Sequence, residues 1–326
     1  MKNPAIILTM LFLALSCGGR KVTTVQTSSA VKQSFNADSA FSYIKMQTDF
    51  GPRVPNTQAH EECATWLASK LSSFGAQMHI QKYVAQTFDN NNLTCTNIIG
   101  RINPDNATRI IICSHWDSRP WADNDPDPSN WKKPVDAAND GASGVGVILE
   151  IARQLQKQAP SVGVDLIFFD AEDWGPGPDY TGQHLESYWG LGTQYWAREK
   201  LKTSYRARYA ILLDMVGGKG ARFSREMYSV MFGKNVVDKV WNTAAQLGYS
   251  SLFRQEDGGY ITDDHFFINT IARIPAIDIV PYVPECESSS FGPTWHTTHD
   301  NIDNIDKKVL EAVGKTLLTV IYNEQP

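Results

Sequence analysis

Acidic side chains seldom follow directly on an apolar run. Yet the segment DLIFFDAEDWG, Asp165 to Gly175, passes from Leu166–Phe169 straight into Asp170, Glu172 and Asp173. Neighbouring carboxylates repel one another and are costly where water is scarce, so this is either a solvated loop or a place where something positive sits between them. Other groups of suitable type recur along the chain: His115-Trp116-Asp117, Asp140 in AANDGASG, Asp214 in ILLDM, and Trp295-His296 in PTWHTTHDNID. Imidazoles and carboxylates drawn from separate loops are the donors of a tetrahedral, catalytically open zinc site. A carboxylate beside such a metal but not bound to it is the natural general base. On this reading Asp173 is tied to the cation and Glu172 faces a substrate.

Strand ends must bring these groups together. Strand-like segments are AQMHIQKYV, TNIIGRI, RIIICSHWD, VDLIFFDAED, YAILLDMVG and IPAIDIVPY, several of them near-continuous apolar runs of the kind buried on both faces. Helical patterns precede and separate them. One starts after Asn36 with Phe41, Ile44 and Met46 on its apolar side, and one runs from Thr57 to Phe74. Others are ASGVGVILEIARQLQKQ, LGTQYWAREKLK, NVVDKVWNTAAQLG and KKVLEAVGKTLLTVIYN. The alternation predicts an α/β fold: three α/β/α layers around a mixed, largely parallel, twisted sheet. Ligands in such folds bind outside the carboxyl ends of the strands, where His115, Glu172, Asp173 and Asp214 all fall. Asp278 lies inside its strand, a costly place for a charge without a partner.

The chain has 326 residues, 42% of them hydrophobic, which suits one large domain over residues 34–326. A net charge of −5 and the lack of any Lys/Arg run argue against a nucleic-acid partner. Lys2, the apolar run AIILTMLFLALS and Cys17-Gly18-Gly19 describe a lipoprotein signal over residues 1–17, followed by a polar tether over 18–33. The expectation is an exported, periplasmic lipoprotein of a Gram-negative bacterium, monomeric and held to a membrane by its N-terminal lipid. Of the remaining cysteines, Cys95 and Cys113 flank a plausible hairpin and could pair.

Three strings fail on inspection. HEECA at His60 lacks the second His of a zinc-protease helix, and GASGV at Gly141 lacks the last Gly of a nucleophile elbow. ADNDPDPSN has calcium-loop spacing but Pro128 where Gly is required, so it reads as a solvated loop.

HWDS, NDGASGVGVILEIAR, FFDAED, ILLDMVG, DDH and WHTTHDNID, in that order, resemble the zinc aminopeptidase clan. Within it they are most similar to the glutaminyl cyclases, particularly the bacterial lipoprotein type, over about residues 40 to 325. The resemblance implies one zinc per chain on Asp140, Asp173 and His296, Glu172 as acid/base, and Asp214 and Asp263 as its acidic partners. It implies Trp295 as a wall of the substrate pocket. Asp278 aligns with a His of the animal enzymes and is expected to take a charged part in the site. Trp174 or Trp189 of the aromatic insertion should supply a further wall. Many relatives have Glu-Glu where this chain has Glu172-Asp173. The implied substrates are peptides and proteins with an N-terminal glutamine, which become pyroglutamyl products with release of ammonia. The rival is a zinc aminopeptidase, for which His115, Asp140 and Asp214 could complete a second metal site.

Overall fold

The computed structural model describes residues 34–177 and 179–326. The signal expected over residues 1–17 and the tether over 18–33 lie outside the described residues. Two helices come first, each begun by a capping side chain. Asn36 accepts the Ser39 amide at 2.9 Å ahead of α1 (Ala37–Asp49), and Thr57 accepts the His60 amide at 3.3 Å ahead of α2 (Gln58–Ser73). Ile44 is buried in α1, but Met46 is 41% exposed. Two residues round a helix is about 200°, so Met46 points away from the stripe that Ile44 defines.

The remaining elements are β1 (Gln77–Gln86), β2 (Asn92–Ile102), β3 (Arg109–His115), α3 (Ala142–Lys157), β4 (Gly163–Phe169), α4 (Leu191–Leu201), β5 (Ala210–Leu213), β6 (Phe223–Arg225), α5 (Met227–Gln246), β7 (Phe253–Asp257), α6 (Asp264–Phe267), β8 (Ala276–Ile279) and α7 (Lys307–Asn323). The main sheet has the order β1-β2-β4-β3-β5-β8. Strands β4, β3, β5 and β8 are parallel, while β2 is antiparallel to both β4 and β1. This is the expected mixed, largely parallel sheet.

Alternation along each buried strand divides the core. Ile110, Ile112, Leu166, Phe168, Ile211 and Leu213 pack with α1, α2, α3, α5 and α7 on one face. Ile111, Cys113, Ile167, Phe169 and Leu212 pack with Trp196 and Ala197 of α4 and with Ile268 and Ile274 on the other. Helix α3 sits close enough that a Cβ on Gly144 would stand 2.3 Å from both Leu213 O and Ser114 Oγ. That contact places the loop before α3 directly over the strand ends.

Cys95 and Cys113 are free, because β4 lies between β2 and β3 and no hairpin joins them. Strands two apart are roughly 10 Å from each other, beyond the reach of a disulfide. Strands β6 and β7 form a short parallel pair that no alternating pattern announced. Helix α5 also begins earlier than its apolar pattern, with Gly233 interrupting its helical backbone. Among the described residues no helix is long and apolar enough to cross a membrane.

Candidate active site and metal centre

The carboxyl ends of the parallel strands converge on a cavity of about 520 Å³, lined among others by Asp140, Glu172, Asp173, Asp214, Asp263, Trp189, Trp295 and His296. Asp140, Asp173 and His296 each offer a ligand atom within 4.8 Å of the other two. His296 Nε2 lies 3.2 Å from Asp173 Oδ1 and 3.8 Å from Asp140 Oδ2. All three are buried, and Asp173 Oδ2 has no hydrogen-bond partner. Two carboxylates and an imidazole facing one another, with an orphaned buried oxygen among them, suit a divalent ion of zinc's preferences. His115 Nε2 lies 3.0 Å from Asp140 Oδ1 and 3.2 Å from Asp214 Oδ1, a second group of donors sharing Asp140.

Main-chain geometry presents these groups. Asp117 does not face the cavity. Its carboxylate accepts the amides of Glu172 and Asp173, at 3.0 and 3.1 Å, and so fixes the turn after β4. Ala171 takes a left-handed backbone (φ 55°) in the same turn. Asp300 does the same for the loop before α3, accepting the amides of Asn139 and Asp140 at 2.8 and 3.0 Å. Asp170 turns inward instead. It pairs with His60 Nε2 at 2.8 Å, and the His60 ring stacks on Trp116 at 4.3 Å. The HEECA string is thus a brace behind the site.

The loop read as solvated has another part. Asp125 accepts Thr298 N at 2.9 Å and Thr298 Oγ1 at 2.6 Å, and Asn124 bonds the carbonyls of His296 (3.1 Å) and Trp295 (3.2 Å). Asp123 binds Arg119 and lies 3.4 Å from His296 Nδ1. Sequence reasoning missed Arg119, Asp123, Asp125 and Asp300. The single available signal was the density of Asp and Asn in ADNDPDPSN.

Burial and crowding set the electrostatics. Burial pushes the Glu172 carboxyl well above its usual range, and the neighbouring Asp263 and Asp173 charges add to the effect. Burial and like charges raise Asp140 and Asp214 each to about 6. Burial would raise Asp173 too, but His296 and Arg119 beside it outweigh that and hold it below the ordinary value.

Of the expected substrate contacts, Trp295 and Trp189 line the cavity. Trp295 stacks on His296 at 3.6 Å, and Trp189 lies parallel to it at 6.3 Å. Trp174 is not among the lining residues and packs against Trp121 at 5.7 Å. Asp278 also stands outside the lining, fully buried on β8 with His265 Nδ1 3.7 Å away. The strand register turns it toward α6 rather than toward the mouth. Asp263 caps α6 and reaches the cavity from there.

Residues 97–321 match peptidase family M28. Among solved structures, a glutaminyl cyclase of Bacteroides thetaiotaomicron bound to N-acetylhistamine is 52% identical, covers 90% of this chain and 99% of its own, and superposes with a TM-score of 0.87. A Zn-dependent exopeptidase of Parabacteroides distasonis is 48% identical over 90% of this chain and 99% of its own, also at 0.87. The glutaminyl-peptide cyclotransferase of Bos taurus is 26% identical over 250 residues, 68% of this chain. The match spans 64% of that relative's length.

Proposed function

We propose a function from one premise: this chain belongs to peptidase family M28. The activity we assign is that of a zinc-dependent glutaminyl-peptide cyclotransferase, which converts the N-terminal glutamine of peptides and proteins to pyroglutamate with release of ammonia. The likeness to a solved glutaminyl cyclase at 52% identity, across 99% of that chain, carries the reading. The cavity agrees with it, since Glu172 stands in the lining next to the Asp140–Asp173–His296 group but outside it.

Asp140, Asp173 and His296 would hold one zinc per chain. Bound there, zinc supplies a Lewis acid for the side-chain carbonyl of the glutamine and stabilises charge developing on its oxygen. The nucleophile is the substrate's own α-amine. Its nitrogen bonds to the side-chain amide carbon, the bond from that carbon to the amide nitrogen breaks, and ammonia leaves, so no water is consumed. Glu172 takes the proton shed by the amine and returns it to the departing nitrogen. Asp263 is among the buried charges that favour Glu172 holding that proton, and Asp214 lines the same cavity. Trp295 and Trp189 wall the cavity, hold the side chain in its cyclising rotamer and exclude water.

A second reading, aminopeptidase action with two metals, draws on the His115–Asp140–Asp214 group. One incubation separates the two. A Gln-initiated peptide that loses ammonia and keeps every peptide bond supports the cyclase, whereas release of the first residue from that peptide or from an aminoacyl reporter overturns it. Metal analysis giving one zinc per chain points the same way. We further infer a periplasmic, monomeric lipoprotein anchored through Cys17. The motif at residues 1–19 supports the anchor, and fatty-acid labelling abolished by Cys17→Ala tests it.

A further inference from the structure

We propose that Arg119 and Asp123 are positioning residues for the metal centre. Together they fix the orientation of the Asp173 carboxylate and determine which nitrogen of His296 is offered to a cation. The inference rests on the reading of Asp140, Asp173 and His296 as metal ligands.

Arg119 is buried to 1% exposure, and its guanidinium spans two carboxylates. Nε and Nη2 hold both oxygens of Asp123, at 2.8 and 2.6 Å. Nη1 donates to Asp173 Oδ1 at 3.1 Å, to Asp173 O at 3.3 Å and to Gly175 O at 3.2 Å. Asp173 is therefore held by side chain and main chain at once. Its Oδ1 is engaged, and Oδ2 is left without a partner. A carboxylate so clamped keeps Oδ1 facing His296 Nε2, 3.2 Å away, and leaves Oδ2 free of any other partner.

Asp123 completes the arrangement from the other side. Its Oδ1 lies 3.4 Å from His296 Nδ1, a partner that keeps the proton on that nitrogen. The Nε2 lone pair then points at Asp173 and Asp140, toward the space the ligands share. Paired with Asp123, the Arg119 charge is neutralised locally, so it can sit beside a cation site without opposing occupancy strongly.

The rings of Trp121 and Trp189 lie on the guanidinium, each 5.2 Å from its carbon. Trp189 lines the cavity, so one guanidinium sets both a ligand and a wall. Only a planar fork does this. A lysine supplies a point charge that can serve Asp123 or Asp173 but cannot bridge them with paired N–H groups.

The test compares the full chain with Arg119→Lys and Asp123→Asn, using zinc competition against a chromogenic chelator and the visible spectrum of the cobalt(II) form. Each variant should bind zinc 10- to 100-fold more weakly, roughly the effect of removing an outer partner of a metal ligand. Its cobalt bands should lose intensity or shift. At saturating zinc, Arg119→Lys should also raise KM through Trp189. Circular dichroism checks folding, and if Arg119→Lys does not fold, the isosteric Asp123→Asn carries the test. Folded variants with wild-type zinc affinity and an unchanged cobalt spectrum, altered only in Tm, would reduce the pair to a structural salt bridge and overturn the inference while leaving the metal centre intact. A wild-type chain that takes up no zinc overturns the metal centre, and the inference with it.

Discussion

Asp117 and Glu172 are joined through the main chain. One Asp117 oxygen accepts the Glu172 amide at 3.0 Å, and the other accepts the next amide, that of Asp173, at 3.1 Å. Replacing Asp117 by Ala leaves two buried amides unpaired, at about 1–3 kcal/mol each. Asp117→Ala should therefore lose about 2–6 kcal/mol in urea unfolding, and Asp117→Asn, which keeps one acceptor, clearly less. Equal midpoints for Asp117→Ala and wild type would show that the turn holds itself.

Glu172→Gln should keep its metal and lose turnover. The side chain lies outside the Asp140–Asp173–His296 group, so zinc content by elemental analysis should match wild type. A Gln cannot accept the amine's proton, and kcat should fall by about 10²- to 10⁴-fold. A variant with near-normal kcat would remove Glu172 from the proton-transfer role.

Chelation should destabilise the fold. Asp140 and Asp173 are buried close together, and each penalises the other's charge. An ion that binds only the folded chain contributes about 4 kcal/mol when present at 1,000 times its Kd. A thermal melt with dipicolinate should therefore fall by several degrees and recover with added zinc.

Asp125 makes a pH-dependent prediction. Burial would raise its pKa, but hydrogen bonds from Thr298 and Asn130 outweigh that and hold it below the ordinary carboxylate value. A lowered folded pKa means stability that is present above the unfolded value, about 4, and lost as pH falls through the folded one. Asp125→Ala should be less stable than wild type at pH 7, and the Tm gap should narrow as the pH is taken below about 4. The variant should also bind zinc less tightly, because Asp125 holds the loop that carries His296.

Much of this was legible in the sequence because it rests on local patterns. The caps at Asn36 and Thr57, the apolar face of α3 and the span of α7 follow from side chains within a turn of each other. The strand-end rule placed Glu172, Asp173 and Asp214 at one edge of the sheet, whereas Asp140 and His296, which sit in loops far from the strand ends in the chain, were named as ligands through the family resemblance. What escaped depends on loops meeting in space. Arg119 is 54 residues from Asp173, and no periodicity links them. Asp300 and Asp117 act on main-chain amides, which carry no mark in the sequence. The Cys95–Cys113 expectation failed for a related reason: β4 comes later in the chain yet inserts between their strands.

The cavity has a buried acidic floor and a more open aromatic mouth, where Tyr260 is 59% exposed. On the cyclase reading, a pocket of that shape would take a loose chain end rather than the middle of a chain. On that reading it would act as a gauge of protrusion: a protein whose first residues are pinned to its own surface would not reach the carboxylates, whatever its opening amino acid.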